Sequence, residues 1–466
     1  MAGGFIQSIG DMAEALTNPF GDNTLRLGVT GLSRAGKTVF ITSLVNNLLE
    51  RGRMPQLRAQ AEGRIDAVFL QPQPDLTLPR FDYETHLAAL TGDNPHWPDS
   101  TRAVSELRLS FRVQPGGWFA GWRGPGELHL DIVDYPGEWL LDLGLLDQTY
   151  AQWSDEVLTR LAKRPEGADF LATARAEDGA LPHAEDRAKL LADRFTAYLH
   201  AARAAGRSDC TPGRFLLPGD LAGSPVLTFA PLPLPGQTPR GSLWREMQRR
   251  YDAYVSRVIR PFFQTHFSRI DRQIVLVDVL EAVHRGPQAL EDLRRTMADV
   301  LDAFRPGRNG FLDRLWNGRR VEKILFAATK ADHLHHTQHP RLQAVLRAMV
   351  QDAEQRAAFR GARVEALALS ALRTTVEETV TRDGLTLDMV RGRLLSDGRQ
   401  VAMFAGDLPE DPARLMASAR QGAEAWLDAE YALMHFAPAR ISRKPGEGLP
   451  HIRMDRAAEF LLGDRL

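Results

Sequence analysis

The feature that most restricts this chain is the loop Gly31-Leu32-Ser33-Arg34-Ala35-Gly36-Lys37-Thr38, set between an apolar run and a helical pattern. Leu25–Thr30 ahead of it reads as a buried strand, and Val39–Leu49 behind it reads as a helix. Strand, G-x-x-x-x-G-K-[ST] loop and helix, in that order, form the context in which backbone amides wrap a phosphate. Gly31 and Gly36 let the backbone bend so that successive N–H groups turn inward, and the following helix adds its positive end. Gly31, Ser33, Arg34, Ala35, Gly36, Lys37, Thr38 and Val39 are therefore the expected phosphate cradle. Lys37 would neutralise β- and γ-phosphate charge, and the Thr38 hydroxyl would hold Mg²⁺. The chain has six lysines against fifty-two arginines, so a lysine at position 37 is informative. A compact, rotatable ammonium stands where a planar guanidinium would be the compositional default.

Other bounds come from the whole chain. Its 466 residues can bury a large core. A net charge of −1, with no basic tract before the tail, gives no electrostatic footprint for nucleic acid, and none is expected as a partner. A single cysteine, Cys210, excludes an internal disulfide framework, fits a reducing compartment and, with no base beside it in sequence, is expected to be inert. No signal-peptide pattern and no apolar run of about 18 residues occur, so a cytoplasmic protein is expected. Phe5, Ile6, Ile9, Met12, Ala13 and Leu16 fall at helical spacing, giving an N-terminal amphipathic helix within residues 1–24 that is expected to dock on the domain.

Residues 50–105 read as irregular because prolines recur through them. They lead into Glu106–Val113, whose alternation predicts a half-buried strand. A hydroxyl just before that strand is where a Ras-like layout completes the Mg²⁺ shell; Thr101 is the choice and Ser100 the alternate, with Arg102 placed to stabilise transition-state charge. Glu127–Val133 reads as the next strand and exits into Asp134-Tyr135-Pro136-Gly137. Asp134 is the expected strand-end carboxylate for Mg²⁺, Gly137 offers an N–H to the γ-phosphate, and Glu138 stands where it would orient the attacking water. A Gly- and Pro-rich hairpin tip between these strands carries Trp118, Phe119 and Trp122, expected to pack on a neighbouring domain or to meet a partner or membrane.

From 139 to 272 the periodicity is helical, with Leu140–Ala162, Ala184–Ala205 and Leu243–Ser268 as amphipathic segments and a stiff, proline-rich connection within. Strand patterns resume at Gln273–Leu280 and Lys323–Ala328. The second exits into Thr329-Lys330-Ala331-Asp332, a [NT]-K-x-D sequence in which Asp332 would accept from guanine N1–H and the 2-amino group while the Lys330 stem covers the ring. A last strand, Val364–Leu369, delivers Ser370-Ala371-Leu372, whose backbone would touch guanine O6. Motifs in this order at strand exits predict one site along the carboxyl edge of an open sheet. His333, His335, His336 and His339 crowd the loop after Asp332, but they suit no single helix face, and a solvated loop is preferred to a metal site. Beyond Arg373, the apolar patch Val401–Ala405, a helix to about His435 covering the sheet, and a tail ending in a short amphipathic helix are expected.

The predicted fold is α/β: a Ras-like P-loop NTPase core, mostly parallel and with helices on both faces, in two halves at 25–138 and 273–380. It carries an inserted helical domain at 139–272 and a C-terminal region at 381–466. With the loop, Asp134–Trp139, Thr329–Asp332 and the tail Gly448-Leu449-Pro450-His451-Ile452-Arg453-Met454-Asp455 read together, the chain resembles the YcjX family of bacterial stress-associated P-loop GTPases. The likeness includes Trp97–Leu109 and Phe404–Asp411, stretches to which the residues themselves assign no chemistry. It implies GTP or GDP bound with Mg²⁺, a role in envelope or heat stress, and an inner-membrane protein partner of the YcjF type with peripheral placement at that membrane. Ser33 and Arg34 in place of the small glycines of a Ras loop, and Glu138 in place of a water-orienting glutamine, predict hydrolysis that is slow without a partner. Alternatives from the residues are a non-catalytic, nucleotide-stabilised interaction module and a P-loop phosphotransferase.

Overall fold

The computed structural model describes residues 23–31, 35–99, 103–115, 125–303, 321–358, 362–382, 385–421, 433–442 and 444–466. The apolar stripe of the N-terminal segment, Ser33, Arg34, Ser100, Thr101, Arg102 and the tip residues Trp118, Phe119 and Trp122 lie outside them.

A seven-stranded sheet carries the site. Its strands are β1 (Thr24–Gly31), β2 (Ile65–Gln71), β3 (Ser105–Val113), β4 (Gly126–Asp134), β5 (Arg272–Val277), β6 (Lys323–Ala328) and β7 (Arg363–Ala368). Their order is β2-β3-β4-β1-β5-β6-β7. β4, β1, β5, β6 and β7 run parallel, and β3 and β2 add an antiparallel edge. β1, β5 and β6 are short, apolar and almost wholly buried, as strands covered on both faces must be. The register sets Gly31 opposite Leu276, Val277 opposite Ala328, and Ala328 opposite Ala368, so the carboxyl ends line up along one edge. That alignment brings the motifs together.

Both faces are covered. One packs Leu27, Val29, Ile274, Leu276 and Leu325 under the helix Lys37–Glu50 and the tail helix Met454–Leu462. The other packs Val275, Val277, Ile324 and Phe326 into a larger cluster continuous with the helices Tyr150–Leu161, Glu185–Ala204 and Leu243–Tyr254 of the 139–272 segment. The proline-rich connection is drawn through this cluster: Phe229, Ala230 and Leu232 are buried, Tyr150 donates to the carbonyl of Ala230 (2.8 Å) and Ser154 to that of Leu232 (2.7 Å).

Several elements differ from the sequence expectations. The stretch 50–105 holds β2, paired antiparallel with β3, and the helix Tyr83–Thr91, capped by Asp82 accepting from the Thr85 N–H. The prolines bound these elements rather than preventing them. β3 is buried along nearly its whole length, with Arg108 only partly covered and Arg112 exposed, because it is an interior strand. β5 stops at Val277: Asp278 turns the chain and caps the helix Val279–His284 through the Glu281 N–H. After the core comes a second, antiparallel sheet of β8 (Thr375–Arg382), β9 (Leu385–Arg393) and β10 (Gln400–Met403), in the order β10-β9-β8. Polar residues on both faces of β8 hid it from a hydrophobic pattern. The helix beyond it, Pro412–Gln421, buries Leu415, Met416 and Ala419 against the helices Pro287–Ala303 and His339–Ala358 rather than on the sheet. Residues 433–435 are not helical.

Candidate functional site

A cavity of about 410 Å³ opens at the carboxyl edge of the sheet, a size suited to a small-molecule ligand. Its lining includes Gly31, Ala35, Gly36, Lys37, Thr38 and Val39 from the first loop, Glu138 from the turn after β4, Thr329, Lys330 and Asp332 after β6, and Ser370, Ala371 and Leu372 after β7. Every described candidate residue is therefore on its wall except Gly137 and Asp134. Gly137 lies between the lining residues Pro136 and Glu138, and Asp134 reaches the site through Lys37.

Gly36 has φ +80°, a left-handed backbone that a side chain would strain even though a Cβ there would meet nothing. Space is tight at Gly31, where a Cβ would sit 3.0 Å from the Leu276 side chain. The helix Lys37–Glu50 begins at Gly36 without a side-chain cap or first-turn acid, which leaves its first amides to an anion. Lys37 Nζ donates to Asp134 Oδ1, so the cation and carboxylate of this edge neutralise each other. Asp134 is fully buried, and its Oδ2 has no hydrogen-bond partner among the described residues. A buried, half-satisfied carboxylate bonded to Lys37, the residue before Thr38 on the cavity wall, fits a hard cation such as Mg²⁺, which takes oxygen ligands. Behind it, β4 is anchored by the Arg108–Asp131 fork at 2.6 and 2.8 Å.

The loop after β6 is as firmly held. Lys330 adopts φ +59°, strained for a non-glycine residue, and its ammonium bonds Asp278. Asp332 is buried; its Oδ2 accepts from the Thr374 N–H (2.9 Å) and hydroxyl (2.8 Å), and its carbonyl accepts from the Thr375 hydroxyl. The Ser370 hydroxyl donates to the Leu372 carbonyl (3.0 Å), closing that loop on itself. The tail then fastens it: Ser370 and Ile452 exchange backbone bonds at 3.0 and 2.9 Å, and the Arg373 N–H donates to Pro450. Gly448 is required where the tail crosses the first helix, since a Cβ would come within 2.4 Å of Asn47.

Three groups on this wall were not legible in sequence. Arg203, near the end of the helix Glu185–Ala204, lines the cavity and approaches Glu138 at 3.8 Å. Nothing distinguishes it locally from the other arginines. Trp97, Pro98, Leu395, His435 and Phe436 form an outer rim, tied by the Trp97 indole donating to the Phe436 carbonyl at 2.9 Å. His333 also lines the cavity, and burial holds its imidazole below the usual histidine range. Asp278 had a usable signal, as a polar residue just past the end of β5. Phe404–Asp411 proves to be a brace: Gln338 bonds Gly406, Asp407 and Leu408. Cys210 is buried, its thiol pushed up to about 12 by desolvation, in keeping with an inert residue.

Beyond Glu138, Trp139 packs edge-on against Phe262 (5.5 Å), with the Arg214 guanidinium 3.2 Å from its ring centre. Asp142 follows, wholly desolvated, accepting from the Gly213 N–H (2.8 and 3.0 Å) and the Tyr254 hydroxyl (2.6 Å). Burial pushes its carboxyl up to about 7.

Strand order, glycine loop and the motifs at the strand exits define a P-loop protein with a Ras-like α/β core. Comparison with known proteins agrees. The chain belongs to the YcjX-like family, DUF463, whose profile matches residues 25–466. It is 39% identical over 468 residues to the Ras-like GTPase YcjX of Escherichia coli (strain K12), covering 97% of this chain and 98% of that protein. It is 35% identical over 487 residues to the Ras-like GTPase YcjX of Shewanella oneidensis, covering 99% and 98%. Among the described residues, no helix is long and apolar enough to cross a membrane.

Proposed function

We propose that this protein binds GTP with Mg²⁺, hydrolyses it, and uses the cycle as a switch. The observation that carries this is the single cavity shared by the Gly31–Thr38 loop, Glu138, Thr329–Asp332 and Ser370–Leu372. Gly31, Ala35, Gly36 and Val39 offer a backbone cradle, with Ser33 and Arg34 completing the loop, and Lys37 moves from Asp134 to the phosphates. Thr38 and Asp134, with Thr101, would hold Mg²⁺, which when bound neutralises charge developing on the transferred phosphoryl group. The Gly137 N–H senses the γ-phosphate, and Glu138 orients the attacking water. Arg203 or Arg102 supplies transition-state charge in cis.

At the other end Asp332 accepts from guanine N1–H and the 2-amino group, the Lys330 stem covers the ring, and Ser370-Ala371-Leu372 approach O6. Adenine offers an acceptor at N1 and no 2-amino group, leaving the Asp332 carboxylate unsatisfied. The turn from Gly137 to Asp142 is packed directly on the helical segment by Trp139, Gly213 and Tyr254, a route by which nucleotide state reaches residues 139–272 as a transmitting domain. Work in bacterial stress or envelope responses, beside an inner-membrane protein partner, is the setting that the family likeness favours.

The test is binding and turnover of GTP and ATP with Mg²⁺, for the wild-type chain and Lys37→Ala. GTP hydrolysis by the wild type, with at least a 100-fold loss in the variant, is expected. Binding without turnover would instead establish a nucleotide-stabilised interaction module, and transfer of the γ-phosphate to a small acceptor a phosphotransferase.

A further inference from the structure

His335 and His336 are adjacent in sequence with no carboxylate beside them, and their spacing predicts nothing. The second sheet supplies what the sequence withholds. Thr379 of β8 pairs with Asp388 of β9, and Glu377 lies two residues before Thr379, so Glu377 and Asp388 share one face of the sheet, and that face meets the two histidines.

We propose that His335 Nε2, His336 Nδ1 and Glu377 Oε2 form a binding site for a divalent transition cation of the zinc class, with Asp388 orienting His335 from behind. The three donor atoms lie within 4.8 Å of one another. Glu377 Oε2 is 3.8 Å from His335 Nε2 and 2.7 Å from His336 Nδ1. Two ligands on a tetrahedral zinc, each about 2.0–2.1 Å from it, sit about 3.4 Å apart, between these values.

The support behind the donors is more specific. His335 Nδ1 faces Asp388 Oδ2 at 3.4 Å and the Thr337 hydroxyl at 3.0 Å. Asp388 is itself held, by Thr337 at 3.4 Å on Oδ2 and by Thr379 at 3.1 Å on Oδ1. With the Thr337 hydroxyl donating to Asp388, its oxygen is left to accept from Nδ1–H, which fixes the tautomer with its Nε2 lone pair on the Glu377 side, the kind of support found behind metal-bound histidines. His335 is buried, its side chain 7% exposed, so this orientation is built in rather than sampled.

The surroundings point the same way. The two imidazole rings lie with their centres 4.3 Å apart, tilted by 43°. Arg373 pairs with Oε1 of Glu377, at 3.6 Å, while both histidines meet Oε2. Two imidazole nitrogens and one carboxylate oxygen select zinc-like ions over Mg²⁺ or Ca²⁺. The fourth position faces solvent, since the His336 side chain is 64% exposed, and a water completes the shell. On binding, the His336 proton sits on Nε2, in water. The cation fastens the loop after Asp332 to β8 a few residues beyond Thr374 and Thr375, which already hold Asp332.

The experiment is calorimetric titration of the chelator-stripped full-length chain with Zn²⁺ in excess Mg²⁺, paired with the visible spectrum of the Co²⁺ form. One equivalent of Zn²⁺ is expected, with a raised melting temperature and the intense absorption of four-coordinate Co²⁺. His336→Ala combined with Glu377→Gln should abolish uptake while the metal-free protein melts as the wild type does. Asp388→Asn should weaken Zn²⁺ binding about 10–100-fold. No stoichiometric uptake by the wild type, or uptake that survives the double substitution, overturns the site. Unchanged affinity in Asp388→Asn overturns the role given to Asp388.

Discussion

Replacing Asp332 by asparagine perturbs the end of the site proposed to read the base, with a sign that follows from its hydrogen bonds to Thr374. Asp332 Oδ2 accepts from both the N–H and the hydroxyl of Thr374. That buried N–H has to keep an acceptor, because leaving it unpaired costs about 1–3 kcal/mol. The oxygen of the introduced asparagine therefore stays on Thr374, and its amide nitrogen turns to the cavity. Guanine presents two donors there, so donor meets donor. Losing two hydrogen bonds to a charged acceptor, at about 1.5–3 kcal/mol each, amounts to about 3–6 kcal/mol, or roughly 10²–10⁴ in affinity. Xanthine has a carbonyl in place of the 2-amino group and accepts from the new amide, so the order of the two bases should invert. The assay is competitive titration of fluorescent GDP by GDP, XDP and ADP at fixed Mg²⁺, with a thermal melt showing that the fold survives. A GDP affinity within about threefold of wild type, in a folded variant, would refute the reasoning.

Two further outcomes are expected. Arg203→Ala should lower kcat for GTP by about 10³–10⁵ with little change in GDP affinity, because the guanidinium approaches Glu138 on the cavity wall, where it is proposed to stabilise transition-state charge; single-turnover kinetics would show it, and an unchanged kcat would return the role to Arg102. Asp142 gives a pH signature. Its carboxyl is raised from 3.8 to about 7 on folding, so the folded state holds the proton more tightly. Its contribution is full below about pH 4 and is lost as pH rises to about 7, a change of at most about 4 kcal/mol. Asp142→Asn should flatten that part of the stability curve in urea titrations between about pH 4 and 7, and an equal slope in both proteins would contradict the assignment.

What the chain announced by itself lies in short stretches whose chemistry depends on neighbours in sequence. Gly36 and Lys37, Asp134 and Gly137, Lys330 and Asp332, and Ser370 each sit at the exit of an apolar strand, and a parallel sheet delivers all its carboxyl ends to one edge. Once those strands were recognised, the site was nearly determined. β2 and β8 escaped because their signals were mixed, prolines flanking the one and polar residues covering both faces of the other.

Only tertiary structure decided the rest. Arg203 enters the cavity because the helix Glu185–Ala204 packs through Leu191, Phe195 and Leu199 into the core shared with the sheet. Thr374 holds Asp332, Asp278 holds Lys330, and Glu377 meets His336 for the same kind of reason. Each pairing joins residues far apart in the chain, and their meeting is set by which apolar faces bury each other. A local pattern records the face that a residue occupies, whereas its partner is selected by the packing of the whole.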